Sequence, residues 1–390
     1  MLSNLQPKKI AVVTATRAEF GLLSHLIQLL EQSPEFELQL FVTGSHLLES
    51  QGSTVSEITN HGFPITQQIS ILEDNQAETD LTATTAKALA EFGKAFKVHK
   101  PDAVVVLGDR YELLGICSAA LLSHIPIVHL HGGEVTEGAM DEAIRHAVTK
   151  MASLHFVAAD SYAQRVIQMG EQPKNVFNVG SPGLDIIKQL KPLTKIELEQ
   201  FLDISLVSPL FVVTYHPVTW GTTKGKQALE DLFQALEKFE MASVVWTAAN
   251  TDEAGVEINR LTQQWVQNTK LNANFVSSLG SLRYLSLLKQ ADAVIGNSSS
   301  GIIEAPALNV ATVNIGERQK GRLMAKSIVQ STENSRDIQT AIQAALEFNN
   351  WQNNSLYGQG NTAEKIVQVL ANSDLLQAQT KTFYDLSPCE

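Results

Sequence analysis

Three carboxylates stand at or just beyond the ends of short apolar runs. Asp109 lies in Leu107-Gly108-Asp109-Arg110 and Glu134 in Leu130-His131-Gly132-Gly133-Glu134, while Asp141 opens the helical stretch that continues to Arg145-His146. Carboxylates crowded into one cleft push one another's pKa values apart, so that one can give a proton while another takes one. Helix capping or surface solvation could explain any single member. Together the three point to proton transfer on a bound molecule, and Gly132-Gly133 lets the backbone approach it closely.

A second set suits an anion. Arg17, in Thr14–Gly21, follows the first apolar run and precedes a helix, where backbone N–H groups and the helix dipole favour a diphosphate; the plain alternative is an exposed Arg in an ordinary turn. Ile295-Gly296-Asn297-Ser298-Ser299-Ser300-Gly301 leads into a helix with Glu304 in an early turn. Hydroxyls and free amides there form an anion cradle, and a carboxylate one turn on can bind ribose hydroxyls. A capping serine would account for one hydroxyl only. His216, in Thr214-Tyr215-His216-Pro217-Val218-Thr219, suits phosphate contact or proton transfer, with a satisfied structural His as the alternative. Arg318, in Ile315-Gly316-Glu317-Arg318, adds a cation.

These residues need strand ends to position them, and the hydrophobic pattern supplies them. Lys9-Thr14, Phe36-Val42, Ala103-Leu107, Pro126-His129 and Leu154-Ala158 read as buried strands, between helices over Gly21-Gln32, Thr82-His99, Arg110-Leu122 and Asp141-Met151. The pattern recurs with strands at Leu210-Thr214, Ser243-Trp246, Ala293-Ile295 and Ala311-Asn314, and helices at Lys226-Phe239, Asp252-Asn268, Leu282-Gln290 and Gly301-Leu308. The expected fold class is α/β, with two doubly wound Rossmann-like domains facing a cleft at the carboxyl ends of their strands. The linker is expected within Gly180-Ser205, giving domains at 1–182 and 183–362, with a helix and tail over 363–390 returning to the first.

Composition narrows the function. The chain has 390 residues, 44% hydrophobic, enough for two cores. It carries 29 basic and 41 acidic residues, a net charge of -12, and no basic stripe, which argues against nucleic acid. Two cysteines, Cys117 and Cys389, make neither a disulfide framework nor a CxxC site and suit a reducing cytosol. No run approaches a membrane span or signal peptide, so a cytoplasmic protein with no membrane partner is expected. No G-x-G-x-x-G follows a strand and no His/Cys cluster has ligand spacing. Neither a dinucleotide, nor any other cofactor, nor a metal is expected.

Taken together, Thr16-Arg17-Ala18, Gly108-Asp109-Arg110, Gly132-Gly133-Glu134, His216-Pro217-Val218-Thr219 and Gly296-Asn297-Ser298-Ser299 resemble the UDP-N-acetylglucosamine 2-epimerase family, from Ile10 to about Leu370. The resemblance implies a glycosyltransferase-B-like fold. Non-hydrolysing members typically have Glu-Ala-Gly-Leu-Arg in place of His131-Gly132-Gly133-Glu134-Val135, so the hydrolysing branch fits better. Asp109, Glu134 and Asp141 then match the catalytic carboxylates, joined by His216. Arg17, Asn250, Gly280, Ser298, Ser299, Glu304 and Arg318 match the UDP-binding set, with His46 near the sugar. Gly21 stands where some relatives carry Ser, which removes one hydroxyl from the phosphate loop. The implied reaction converts UDP-N-acetylglucosamine and water to UDP and N-acetylmannosamine for sialic-acid synthesis, by elimination to a glycal and hydration. A diacetamido-trideoxyhexose substrate and a non-hydrolysing epimerase are the alternatives. A homodimer or homotetramer is implied.

Overall fold

The computed structural model describes residues 6–49, 54–72, 80–136, 140–216, 223–249, 253–351, 354–375 and 380–386. The chain divides into two compact units, Met1–Ile186 with Tyr357–Glu390, and Ile187–Leu356.

In the first unit, β1 (Lys8–Thr14), β2 (Phe36–Thr43), β3 (Ile65–Ile69), β4 (Ala103–Leu107), β5 (Ile127–Leu130), β6 (Leu154–Val157) and β7 (Val176–Asn178) form one sheet in the order β3-β2-β1-β4-β5-β6-β7. All neighbours pair parallel. The helices are α1 (Arg17–Gln32), α2 (Val55–Asn60), α3 (Leu81–His99), α4 (Glu112–Leu122), α5 (Met140–Met151), α6 (Asp160–Gln168) and α7 (Gly183–Gln189). Strand side chains alternate between faces, so a strand covered on both sides must be apolar at every position. Accordingly Ile10 and Val12 enter one core with Leu23, Leu26 and Ile27 of α1, while Ala11 and Val13 enter the other with Phe92 and Phe96 of α3 and Ile116 of α4.

The second unit repeats the design with β8 (Leu210–Thr214), β9 (Ser243–Thr247), β10 (Asn272–Val276), β11 (Ala293–Gly296), β12 (Ala311–Ile315) and β13 (Ile328–Ser331), ordered β10-β9-β8-β11-β12-β13. These neighbours are also parallel. Its helices are α8 (Lys195–Leu202), α9 (Thr223–Leu236), α10 (Glu253–Asn268), α11 (Gly280–Gln290), α12 (Ser300–Ala307) and α13 (Ser335–Leu346). Trp246 of β9 and Trp265 of α10 anchor its core. The stretch read as a linker, Gly180-Ser205, carries α7 and α8, and the boundary between units falls at 186/187. Beyond the second boundary at 356/357, α14 (Thr362–Asn372) packs beside α1 and sends Ala363, Ile366 and Leu370 into the first unit's core.

In each sheet the strand order reverses beside the first strand of the unit, between β1 and β4 and between β8 and β11. Loops leaving the carboxyl ends of two such strands diverge to opposite faces and open a crevice, the usual ligand position of doubly wound sheets.

Candidate active site

At the first reversal point the turn after β1 is locked by its own helix. Thr16 caps α1 and accepts from the Glu19 amide at 3.3 Å, while Glu19 Oε2 accepts from the amides of Ala15 at 2.7 Å and Thr16 at 3.1 Å. Burial, reinforced by the charge of Glu112, pushes the Glu19 carboxyl up to about 7 against those amides and Arg110. Glu112 is fully buried at the start of α4 and accepts from Arg110 Nε at 2.5 Å. Two buried carboxylates thus flank the Arg110 guanidinium beside the sheet switch. Arg17 is half-exposed, its Nε 3.0 Å from Glu57, and Gly21 has open space around its Cα. His46 is fully buried, with Nε2 3.0 Å from Thr14 Oγ1 and Nδ1 2.8 Å from Thr54 Oγ1; burial pushes it down to about 4, so it stays neutral.

Two strands further along, the carboxylates gather. Asp109 does not cap α4, whose N-cap is Tyr111 without a side-chain bond; instead Asp109 accepts from Nη2 of Arg145 on α5. That nitrogen also donates to Thr136 Oγ1 at 3.0 Å, and Nη1 lies 3.9 Å from Glu142. Asp141, in the first turn of α5, is raised by burial first and then by the charge of Asp109, with Arg145 opposing. Glu134 is buried and bonded to His131 Nδ1. His131 has φ 65, so the chain has already left the strand there. Asp109 and Asp141 therefore share one arginine and sense each other's charge, and Glu134 sits on the neighbouring strand's loop.

In the second unit Asn297 ties three loops together. Its Oδ1 accepts from the His216 amide at 2.7 Å and its Nδ2 donates to the His216 carbonyl at 2.8 Å. Its own carbonyl accepts from Arg318 Nη1 at 2.9 Å and Gln319 Nε2 at 2.8 Å. Gly296 makes this possible: its φ is 132, and a Cβ there would strike the Thr214 carbonyl. Ser298 and Ser299 precede α12; Ser299, its N-cap, makes no side-chain capping bond, while Ser298 Oγ accepts from the Ser300 amide at 3.4 Å, so the capping alternative accounts for Ser298 alone. Tyr284 Oη donates to Ser300 Oγ at 2.9 Å. Burial pushes the Tyr284 hydroxyl up to about 12, helped by the Glu304 charge, which places Glu304 near the same turn. Gly280 opens α11 with φ 64. Asn250 and Pro217-Val218-Thr219 lie outside the described residues.

Glu19, Glu112 and Arg145 were given no role from the sequence, and Asn297 entered only as part of the Gly296–Ser299 motif. Thr16-Arg17-Ala18-Glu19 is a capping-box pattern and could have flagged Glu19; the roles of the other three become visible only through their partners. Among the described residues one His/Asp/Glu group has donor atoms within 4.8 Å of one another, His25, Asp185 and Glu364. Both Asp185 oxygens accept from α14 amides, of Thr362 at 2.8 Å and Ala363 at 2.7 Å, so that carboxylate serves a helix end. Among the described residues no helix is long and apolar enough to cross a membrane.

Residues 28–371 match the family model described as UDP-N-acetylglucosamine 2-epimerase. The chain is 43% identical over 333 residues (85% of this chain, 86% of the relative) to the GDP/UDP-N,N'-diacetylbacillosamine 2-epimerase (hydrolyzing) of Campylobacter jejuni. It is 38% identical over 323 residues (83% and 82%) to polysialic acid biosynthesis protein P7 of Escherichia coli, and 34% over 363 residues (93% and 95%) to the UDP-N,N'-diacetylbacillosamine 2-epimerase (hydrolyzing) of Legionella pneumophila. Its fold is similar to the crystal structure of UDP-GlcNAc 2-epimerase from Neisseria meningitidis bound to UDP-GlcNAc, with a TM-score of 0.80 at 18% identity over 94% of this chain and 100% of that one. By family match and by fold, this chain belongs to the UDP-N-acetylglucosamine 2-epimerase family, among its hydrolysing nucleotide-sugar 2-epimerases.

Proposed function

We propose that the enzyme hydrolyses UDP-N,N'-diacetylbacillosamine, a diacetamido-trideoxyhexose, inverting C2 and releasing UDP and the free sugar. The observation that carries the sugar is the 43% identity to the Campylobacter enzyme named for GDP- or UDP-linked N,N'-diacetylbacillosamine, and the Legionella relative, named for the UDP compound, supports the nucleotide. The sequence resemblance favoured UDP-N-acetylglucosamine instead, and the 30% identity over 385 residues to the UDP-N-acetylglucosamine 2-epimerase of Neisseria meningitidis keeps that as the second reading.

In the proposed reaction a carboxylate removes the C2 proton as the C1–O bond to UDP breaks, leaving a glycal and UDP. Water then adds: its oxygen bonds to C1, and a proton reaches C2 from the opposite face. Asp141 suits the proton-holding role, because burial and the Asp109 charge both favour its protonated form. Glu134, with His131 on its other side, is the candidate base. The Ser298–Ser299 turn, Arg318, Arg17 and His216 are assigned to the departing diphosphate, where charge develops, and Glu304 to the ribose. Gly280 and Asn250 complete the nucleotide set and His46 lies toward the sugar.

The deciding experiment gives the purified protein each sugar nucleotide in turn and identifies the products by NMR. A kcat/KM for UDP-N-acetylglucosamine equal to or above that for the diacetamido compound overturns the substrate. A C2-epimerised sugar still attached to UDP overturns hydrolysis.

A further inference from the structure

Under the three carboxylate-bearing segments lies a side chain given no role so far, His129 of β5, which is fully buried. Its Nε2 is 2.7 Å from the Gly108 carbonyl oxygen and its Nδ1 3.1 Å from Thr149 Oγ1. A carbonyl can only accept, so Nε2 carries the proton; Nδ1 is then bare and accepts from the Thr149 hydroxyl. Burial holds the ring neutral, pushing it down to about 3.

Each partner belongs to a different segment of the site. Gly108, with φ 82, directly precedes Asp109. Thr149 is buried on α5, one turn beyond Arg145, whose guanidinium holds Asp109, and on the same helix as Asp141. A Cβ at Gly132 would stand 3.0 Å from Thr149 Oγ1 and 3.2 Å from His129 Nδ1, so the turn leading to Glu134 rests on the same pair. We infer that His129, oriented by Thr149, is a positioning residue that holds the Asp109 loop and the Gly132–Glu134 turn in register with Asp141. This rests on the proton-transfer role proposed above for those carboxylates.

Thr149→Val keeps the volume and removes the donor that fixes the ring, whereas Thr149→Ser keeps it. In the full-length enzyme Thr149→Val should lower kcat roughly tenfold to a hundredfold, the scale of a small misplacement of reacting groups, with KM and UDP affinity changed by less than about twofold. Thr149→Ser should recover most of the loss. Long-range ¹H–¹⁵N spectra of the wild type should show His129 neutral with its proton on Nε2 from about pH 6 to 8. An unchanged kcat in Thr149→Val, a parallel loss of UDP affinity, or a ring protonated on Nδ1 overturns the inference. Should Thr149→Val fail to fold, His129→Gln, which still offers Gly108 an N–H, should keep roughly tenfold more kcat than His129→Leu, and equal rates overturn it. A wild type inactive on both sugar nucleotides sinks the proposed function, while the spectra still judge the ring.

Discussion

Replacing Asp109, Glu134 or Asp141 by its amide keeps volume and removes a group that can carry a proton. General acid–base catalysis contributes roughly 10²–10⁴-fold, so turnover should fall by that order in each amide variant while UDP affinity barely moves. Turnover paired with UDP titration checks this, and two variants with near-wild-type rates would return those residues to a structural role. Glu304→Ala should instead weaken UDP by about 1.5–3 kcal/mol, the cost of a hydrogen bond to a charged group, read by calorimetry. Glu19 makes a pH prediction. Its carboxyl is raised from 4.5 to about 7, so between those values the folded protein keeps a proton that the unfolded chain has released. That contribution is fully present below about 4.5 and is lost as pH rises through about 7, in total on the order of 3 kcal/mol. Glu19→Gln can still accept from the Ala15 and Thr16 amides but cannot titrate, so its stability relative to wild type should grow from pH 5 to 8 in denaturant titrations. His46 and His129 slope the other way and cancel in that difference. The carboxylates stood out in the sequence because Asp109 and Glu134 follow the apolar runs of β4 and β5 and Asp141 opens a helical pattern. Arg145 did not, because a helical Arg four residues after Asp141 carries no mark in one sequence that it turns inward to Asp109.

At the scale of elements, the strands read from the sequence are the central ones, and the four it missed, β3, β7, β10 and β13, are the two edges of each sheet. An edge strand is covered less completely and needs no continuous apolar run. Ile-Thr-Gln-Gln-Ile of β3 and Asn-Ala-Asn-Phe-Val of β10 are correspondingly half-buried and polar, and β7 is three residues long. Among the strands, periodicity located what burial dictates and passed over what pairing alone dictates; helices α6 and α13 were passed over as well, although Tyr162 and Val166 of the first and Ile338 and Ile342 of the second are buried. The turns at the strand ends make a prediction of the same scale. Gly296→Ala would force a side chain onto the Thr214 carbonyl at φ 132 and should destabilise the second unit by more than about 1–3 kcal/mol, loosening the Asn297 ties to His216 and Arg318. Gly21→Ala, inside α1 with open space around it, is the control and should stabilise slightly, by about 0.5–1 kcal/mol. Urea denaturation of the two variants compares them.

At the scale of the whole molecule, no dinucleotide fingerprint follows any strand and no His/Cys cluster has ligand spacing. Turnover should therefore survive EDTA and need no added NAD; loss on chelation, restored by a divalent ion, would count against this. The two units also make different demands on the chain. Residues 187–356 form the second unit alone and should melt cooperatively as an isolated fragment. Residues 6–186 should not, because Ala363, Ile366, Leu370 and Leu375 complete the first unit's core. Circular dichroism melts of the two fragments check this, and a cooperative melt of 6–186 would count against it. The return of α14 has a further consequence during synthesis. A chain leaving the ribosome presents the first sheet early but cannot seal it until α14 has followed, by which time all of residues 187–356 have been made. The amino-terminal half must therefore wait with the side of α1 that α14 packs against still open while the later-made unit folds, a delay of roughly ten to thirty seconds at ordinary elongation rates. The unit begun first is finished last, and that interval is when its apolar surface is most open to aggregation.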